Sequence, residues 1–149
     1  MYKKMIQASL ASLLFAASAV FAQDLTGIWK QIDDKTGSPK ALIEIKQESN
    51  GTYSGTIIKV TPRPGYVPKE KCVNCPAPYT NQPILGLEVI KGLKHADENN
   101  YEGGKVLDPL AGKIYSLKAK LSPNGKRLHL RGYIGISAIG RTQMWIRQE

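Results

Sequence analysis

The chain is poor in the residues that anchor catalysis, metals and dense cross-linking: 149 residues include two cysteines, two histidines, two tryptophans and two phenylalanines. Two cysteines exclude a small scaffold built on several disulfides. A structural zinc needs four ligands, so a two-Cys two-His site would use every such residue in the chain, and His95 and His129 stand alone and far apart. So few aromatic rings leave no basic-and-aromatic stripe of the kind that stacks single-stranded nucleic acid. After the N-terminal segment no apolar run approaches the roughly 20 residues that cross a bilayer as a helix, and no stretch shows helical periodicity.

The first 22 residues, MYKKMIQASLASLLFAASAVFA, place Lys3 and Lys4 before an alanine-rich apolar run that ends in Val20-Phe21-Ala22. This is the pattern of a secretory signal peptide cleaved near Ala22; the run is too short for a membrane anchor, and no cysteine follows it to take a lipid. The expected mature chain, 23–149, is a single domain that works in the periplasm or outside the cell. At 127 residues it is long enough to bury roughly two thirds of its unfolded surface without metals or multiple disulfides. Loss of Lys3 and Lys4 lowers the formal charge from +9 to +7, which favours acidic partners. The cations are scattered among strand-like segments, however, and export argues against nucleic acid.

Between the glycines and prolines, apolar residues alternate with polar ones, the period of a strand with one buried face. The clearest case is Lys113 to Leu121, where Tyr115, Leu117, Ala119 and Leu121 share a face opposite Ser116, Lys118 and Lys120. Arg127 to Ile134 follows, with Leu128, Leu130 and Ile134 inward and Arg127, His129 and Arg131 outward. Ser122-Pro123-Asn124-Gly125 joins the two through an Asn-Gly hairpin turn. Asn50-Gly51 does the same between strands over Ala41 to Gln47 and Thr52 to Val60; the turn also explains the Asn-Gly-Thr triplet, which matches a glycosylation sequon. Further strands are expected over Gly27 to Ile32, Ile84 to Leu93, Asn100 to Val106 and Thr142 to Arg147. Eight short antiparallel strands close most economically into an up-and-down β-barrel, because closure removes exposed edges. Lys and Arg on the outward faces would each cost about 2 to 4 kcal/mol in a lipid midplane, which disfavours a membrane-spanning barrel. The one irregular region is Thr61 to Pro83, with six of the nine prolines.

That region holds Cys72-Val73-Asn74-Cys75. A redox C-x-x-C needs its first thiol at a helix N-terminus, and here Pro76 and Pro78 follow with no helical pattern. Half a zinc site has no second half. In an exported protein two nearby thiols oxidise, so the pair reads as a disulfide staple that shapes its loop and stabilises by only about 2 kcal/mol. Ser137, in Gly135-Ile136-Ser137-Ala138-Ile139-Gly140, approaches the nucleophile elbow G-x-S-x-G but has Ile139 where glycine is required and lacks the strand-turn-helix setting. His95, beside Asp97 and Glu98, reads as part of a polar turn. Asp33, Asp34 and Asp108 read as turn formers rather than metal ligands. No catalytic residue and no cofactor are therefore expected; the rival from another class is an envelope hydrolase or redox enzyme.

Gly27-Ile28-Trp29 at the opening resembles the lipocalin and fatty-acid-binding superfamily, in which such a tryptophan plugs one end of the barrel under an arginine from a late strand. Together with DDKTGSPKALIEI, the C-x-x-C loop, ILGLEVIKGLK, YEGGKVLDPLAGKIYS and RGYIGISAIGRTQMWIR, it resembles, in order and over nearly the whole mature chain, the bacterial domain-of-unknown-function family numbered 2147. Trp29 matches the opening motif, Arg141 and Trp145 the closing one, and Cys72 with Cys75 the loop. The resemblance implies an exported, lipocalin-like barrel and supplies no activity. The expectation that follows is a non-catalytic binding or accessory protein of the envelope. Its barrel would hold a small apolar or amphiphilic ligand with an anionic head, with Trp29, Tyr115, Leu117, Leu128, Leu130 and Arg141 as candidate contacts. If the interior is instead filled, the Cys72–Cys75 loop becomes the natural platform for an envelope protein partner.

Overall fold

A computed structural model of the chain describes residues 23–148; residues 1–22, expected above to be a signal peptide, lie outside the described residues. Eight strands run β1 (Gly27–Ile32), β2 (Pro39–Gln47), β3 (Tyr53–Val60), β4 (Glu88–Asp97), β5 (Asn100–Asp108), β6 (Lys113–Leu121), β7 (Arg127–Tyr133) and β8 (Gly140–Arg147). Each pairs antiparallel with its sequence neighbour, and β8 returns to β1, so the sheet closes into an up-and-down barrel with no free edge. Among the described residues no helix is long and apolar enough to cross a membrane.

Alternation does the sorting. On β6, Leu117, Ala119 and Leu121 are buried while Lys118 and Lys120 are exposed; on β7, Leu128 and Leu130 are buried while Arg127 and His129 are exposed. The hairpin between them is held as expected, with Asn124 Oδ1 accepting from Lys126 N at 3.0 Å and Gly125 in the left-handed region at φ 71. Asn50 Oδ1 likewise accepts from Thr52 N at 3.0 Å in the β2–β3 turn. Asp33 Oδ1 accepts from Lys35 N and Thr36 N, and Asp108 Oδ1 from Leu110 N and Ala111 N, so both aspartates close turns.

Three local expectations need correction. Ile84 to Leu87 is not strand: Leu87 N bonds back to Ile84 O, Gly86 takes φ 87, and β4 starts at Glu88. His95 sits on β4 rather than in a turn, and β4 and β5 are joined tightly through Glu98, which adopts a positive φ of 42. Ile134 does not point into the core; β7 ends at Tyr133, the chain turns at Gly135, and Ile134 is 65% exposed.

Candidate functional site

The two ends of the barrel differ in kind. At one end Trp29, fully buried on β1, donates from Nε1 to Leu25 O at 2.9 Å. Its register partner on β8 is Arg147, whose guanidinium lies 4.3 Å from the Trp29 ring. That guanidinium donates to three main-chain carbonyls: Nε to Gly125 O at 2.7 Å, Nη1 to Thr26 O at 2.6 Å and Nη2 to Asp24 O at 2.6 Å. One planar fork thus ties the entry segment, the β6–β7 turn and the closing strand together over an aromatic face. Gly27 makes room for it: a Cβ there would lie 2.8 Å from Arg147 Nη1, and its φ of 131 suits glycine. Tyr53 completes the plug, its hydroxyl donating to Asp24 Oδ2 at 3.2 Å and its ring meeting Tyr101 edge-on at 5.4 Å.

Charges in the plug are tuned accordingly. Burial opposes ionisation of Asp24, but hydrogen bonds from Thr26 and Tyr53 and the Arg147 charge outweigh it and hold the carboxyl below its usual range. Burial, with the Asp24 charge beside it, pushes the Tyr53 phenol up to about 12.

The other end is open. Above the plug the barrel encloses a cavity of about 710 Å³ whose wall is mostly aliphatic and aromatic, including Ile43, Ile57, Val89, Leu117, Leu130 and Trp145. A volume in the range of roughly 300 to 1,000 Å³ is that of small-molecule sites. Within this wall Gln143 Oε1 accepts from Trp145 Nε1 at 3.3 Å and faces Gln31 Nε2 at 3.4 Å, a polar cluster in apolar surroundings. Lys40, Arg63 and Arg141 also line it. Arg63 is held by Asp33, Nη1 to Oδ2 at 2.7 Å, and stacks 4.6 Å over the Tyr66 ring, yet its Nε is buried with no acceptor among the described residues. The Asp33 carboxyl is driven well below its usual range, first by the Thr36 N–H and then by Arg63. Arg141 pairs with Asp34.

The sequence candidates therefore separate. Tyr115, Leu117, Leu130 and Arg141 line the cavity. Trp29 and Leu128 do not: both are fully buried outside its wall, Trp29 in the plug. The late arginine over Trp29 is Arg147, seven residues before which Gly140 starts β8; Arg141, one residue into that strand, sits at the opposite end of the barrel. Strand parity could not separate the two arginines, since Arg141, Gln143, Trp145 and Arg147 share one face. Sequence reasoning missed Gln31, Gln143 and Arg63, which only closure brings to one cavity.

Cys72 and Cys75 form a disulfide, as expected; both are buried against Pro109 O, while Lys71, Val73, Asn74 and Pro76 of the same loop are exposed. Gly112 permits this, because a Cβ there would come within 2.0 Å of Asn74 O. His95 Nε2 contacts Glu98 O at 2.7 Å and its ring meets Tyr101 at 5.1 Å. His129 borders a shallow polar depression on the outer wall with Asp97, Glu102, Lys120 and Arg131, and makes no side-chain hydrogen bond among the described residues. Ser137 presents its carbonyl to Arg131 Nε at 2.5 Å in the β7–β8 loop. No group of three or more metal-ligating side chains occurs among the described residues.

The family model of uncharacterised proteins conserved in bacteria, DUF2147, matches residues 27–147. Among solved structures the chain is similar to protein HP1028 from the human pathogen Helicobacter pylori, described as belonging to the lipocalin family. The two share 24% identity over 86% of this chain and 85% of that one, with a TM-score of 0.72, a likeness of fold. No curated protein matches the chain.

Proposed function

The chain belongs to the DUF2147 family of bacterial proteins, and we propose that it is an exported, non-catalytic binding protein of the cell envelope whose barrel holds a small amphiphile with an anionic head. The hollow interior carries this reading: about 710 Å³ of largely apolar space, closed at one end and open at the other. A filled barrel acting only through its loop surface would have no such space. The anionic preference rests on Arg63, whose buried Nε lacks an acceptor among the described residues. Leaving a buried donor unpaired costs about 1 to 3 kcal/mol, and an acid group at the cavity wall would relieve that cost. Tail atoms would then lie against Ile43, Ile57, Leu117 and Leu130.

Native mass spectrometry of protein recovered from its own compartment without detergent tests the reading: a co-purifying lipid-sized mass is the expected result. A dansyl fatty acid should bind and its methyl ester should bind more weakly, with Arg63→Met removing the difference. A bare monomer mass together with no binding of either probe would overturn the proposal.

A further inference from the structure

The loop joining β7 and β8 breaks the pattern of the rest of the surface. Ile134, Ile136 and Ile139 are 65%, 62% and 73% exposed on a six-residue excursion at the cavity mouth. The loop is not loose: Arg131 Nε donates to Ser137 O at 2.5 Å, Arg131 Nη2 to Ala138 O at 3.2 Å, and Ile139 N to Ile136 O at 3.1 Å. Three aliphatic side chains are thus held in water by a built support. Ile134 and Ile139 also belong to the cavity wall, so apolar side chains of this loop lie both in the interior lining and on the outside of the mouth. Val67, 89% exposed in the segment after β3, adds a further aliphatic prong beside Arg63 and Tyr66 of the same wall.

Charge available around these prongs is mostly positive. Three of the acids at this end are engaged, Asp33 by Arg63 and Lys40, Asp34 by Arg141, and Asp108 by the amides of its own turn, while Glu70 and Glu88 are exposed without an ion-pair partner among the described residues. Lys35, Lys69 and Lys113 are exposed and have no ion-pair partner among the described residues. Aliphatic prongs with lysines around them complement a surface that is anionic outside and hydrocarbon within, since each lysine near such a surface adds roughly 1 kcal/mol of attraction and each buried CH₂ roughly 0.8.

We propose that the mouth of the barrel docks on an anionic lipid bilayer, with Ile134, Ile136 and Ile139 entering the interface and the cavity opening toward the acyl chains. The proposal deepens the amphiphile-binding reading, on which it rests for its purpose, by naming the membrane as the surface with which the ligand is exchanged.

Flotation of the exported protein with phosphatidylglycerol–phosphatidylcholine vesicles, against vesicles of phosphatidylcholine alone, tests it. The protein should float with the anionic vesicles, and raising ionic strength from about 0.05 to about 0.5 M should weaken this. Replacing Ile134, Ile136 and Ile139 together by serine should weaken partitioning by roughly tenfold or more. Ile136 is outside the cavity wall, so Ile136→Trp supplies a second readout. Its emission should shift to the blue on anionic vesicles, over the background of the buried Trp29 and Trp145. Absence of both flotation and the emission shift, or a triple variant that floats as well as the native chain, would overturn the proposal. Binding of the dansyl fatty acid without vesicles keeps the two readings apart: probe binding without flotation refutes docking alone, whereas flotation without probe binding upholds docking and refutes the ligand reading.

Discussion

Replacing Arg147 by methionine isolates what the plug contributes. Methionine keeps much of the aliphatic stem over Trp29 and removes the guanidinium, with its bonds to Asp24 O, Thr26 O and Gly125 O and its place 4.3 Å from the indole. A hydrogen bond to a charged donor contributes about 1.5 to 3 kcal/mol when sheltered; this side chain is only partly buried, so about 1 kcal/mol for each of the three is the appropriate discount. The cation–π contact adds about 1 kcal/mol, bringing the expected loss to about 4 kcal/mol. A domain of this length has an unfolding entropy near 0.26 kcal/mol/K, so the loss corresponds to a fall in Tm of about 15 °C. Thermal unfolding followed by circular dichroism measures it directly. Arg147→Lys should recover less than half, because an ammonium is a point charge that cannot serve three carbonyls from one plane. A methionine variant melting within about 3 °C of the native protein would show that the fork adds nothing the β1–β8 ladder does not already supply, and would refute the reasoning.

Stability should fall as pH drops below about 4, because Asp24 and Asp33 have lowered folded pKa values: their contribution is present above the unfolded value and is lost as each carboxyl takes up its proton in the folded state. Asp24→Asn should flatten that acid limb in a series of urea titrations. At the alkaline end the sign reverses, since the Tyr53 phenol is raised to about 12 and its contribution fades between about pH 10 and 12; Tyr53→Phe should remove that part of the loss. Gly112→Ala forces a Cβ toward Asn74 O at a φ of 68, so the disulfide loop should lift from the β5–β6 turn, costing about 1 to 3 kcal/mol and speeding reduction of Cys72–Cys75 by dithiothreitol several-fold. Gly132 has an ordinary φ and faces the cavity, where an added Cβ would meet Tyr115 Cβ at 3.6 Å. Gly132→Leu should therefore keep Tm within a few degrees while abolishing binding of the dansyl probe.

The barrel was legible because its cause is local and repeated: each strand needs one apolar face, and period-two alternation writes that face directly into β6 and β7. Asn50-Gly51 and Asn124-Gly125 marked their turns for the same reason, since few residues accept a positive φ. The start of β4 was not legible, because Ile84, Leu85 and Leu87 look like strand residues. A turn between Ile84 and Leu87 wins there by bonding Gly86 N to Ile57 O and Leu87 O to Ile57 N across β3. The site was legible only by halves. Alternation identified Tyr115, Leu117 and Leu130 as inward, but depth along the axis is a property of the closed barrel, so Leu128 and Trp29 could not be told from cavity residues. Arg63 lay in a proline-rich segment with no periodicity at all, and its place at the wall depends on Asp33, thirty residues earlier.

A vessel stoppered at its base by Trp29 and Arg147, with ladders closed all the way round, has a single door. On the proposed reading, cargo would not be threaded through from donor to acceptor; it would depart by the route it arrived. Loading and delivery would then be one reversible event run in opposite directions, decided by whatever lies against the threshold at that moment.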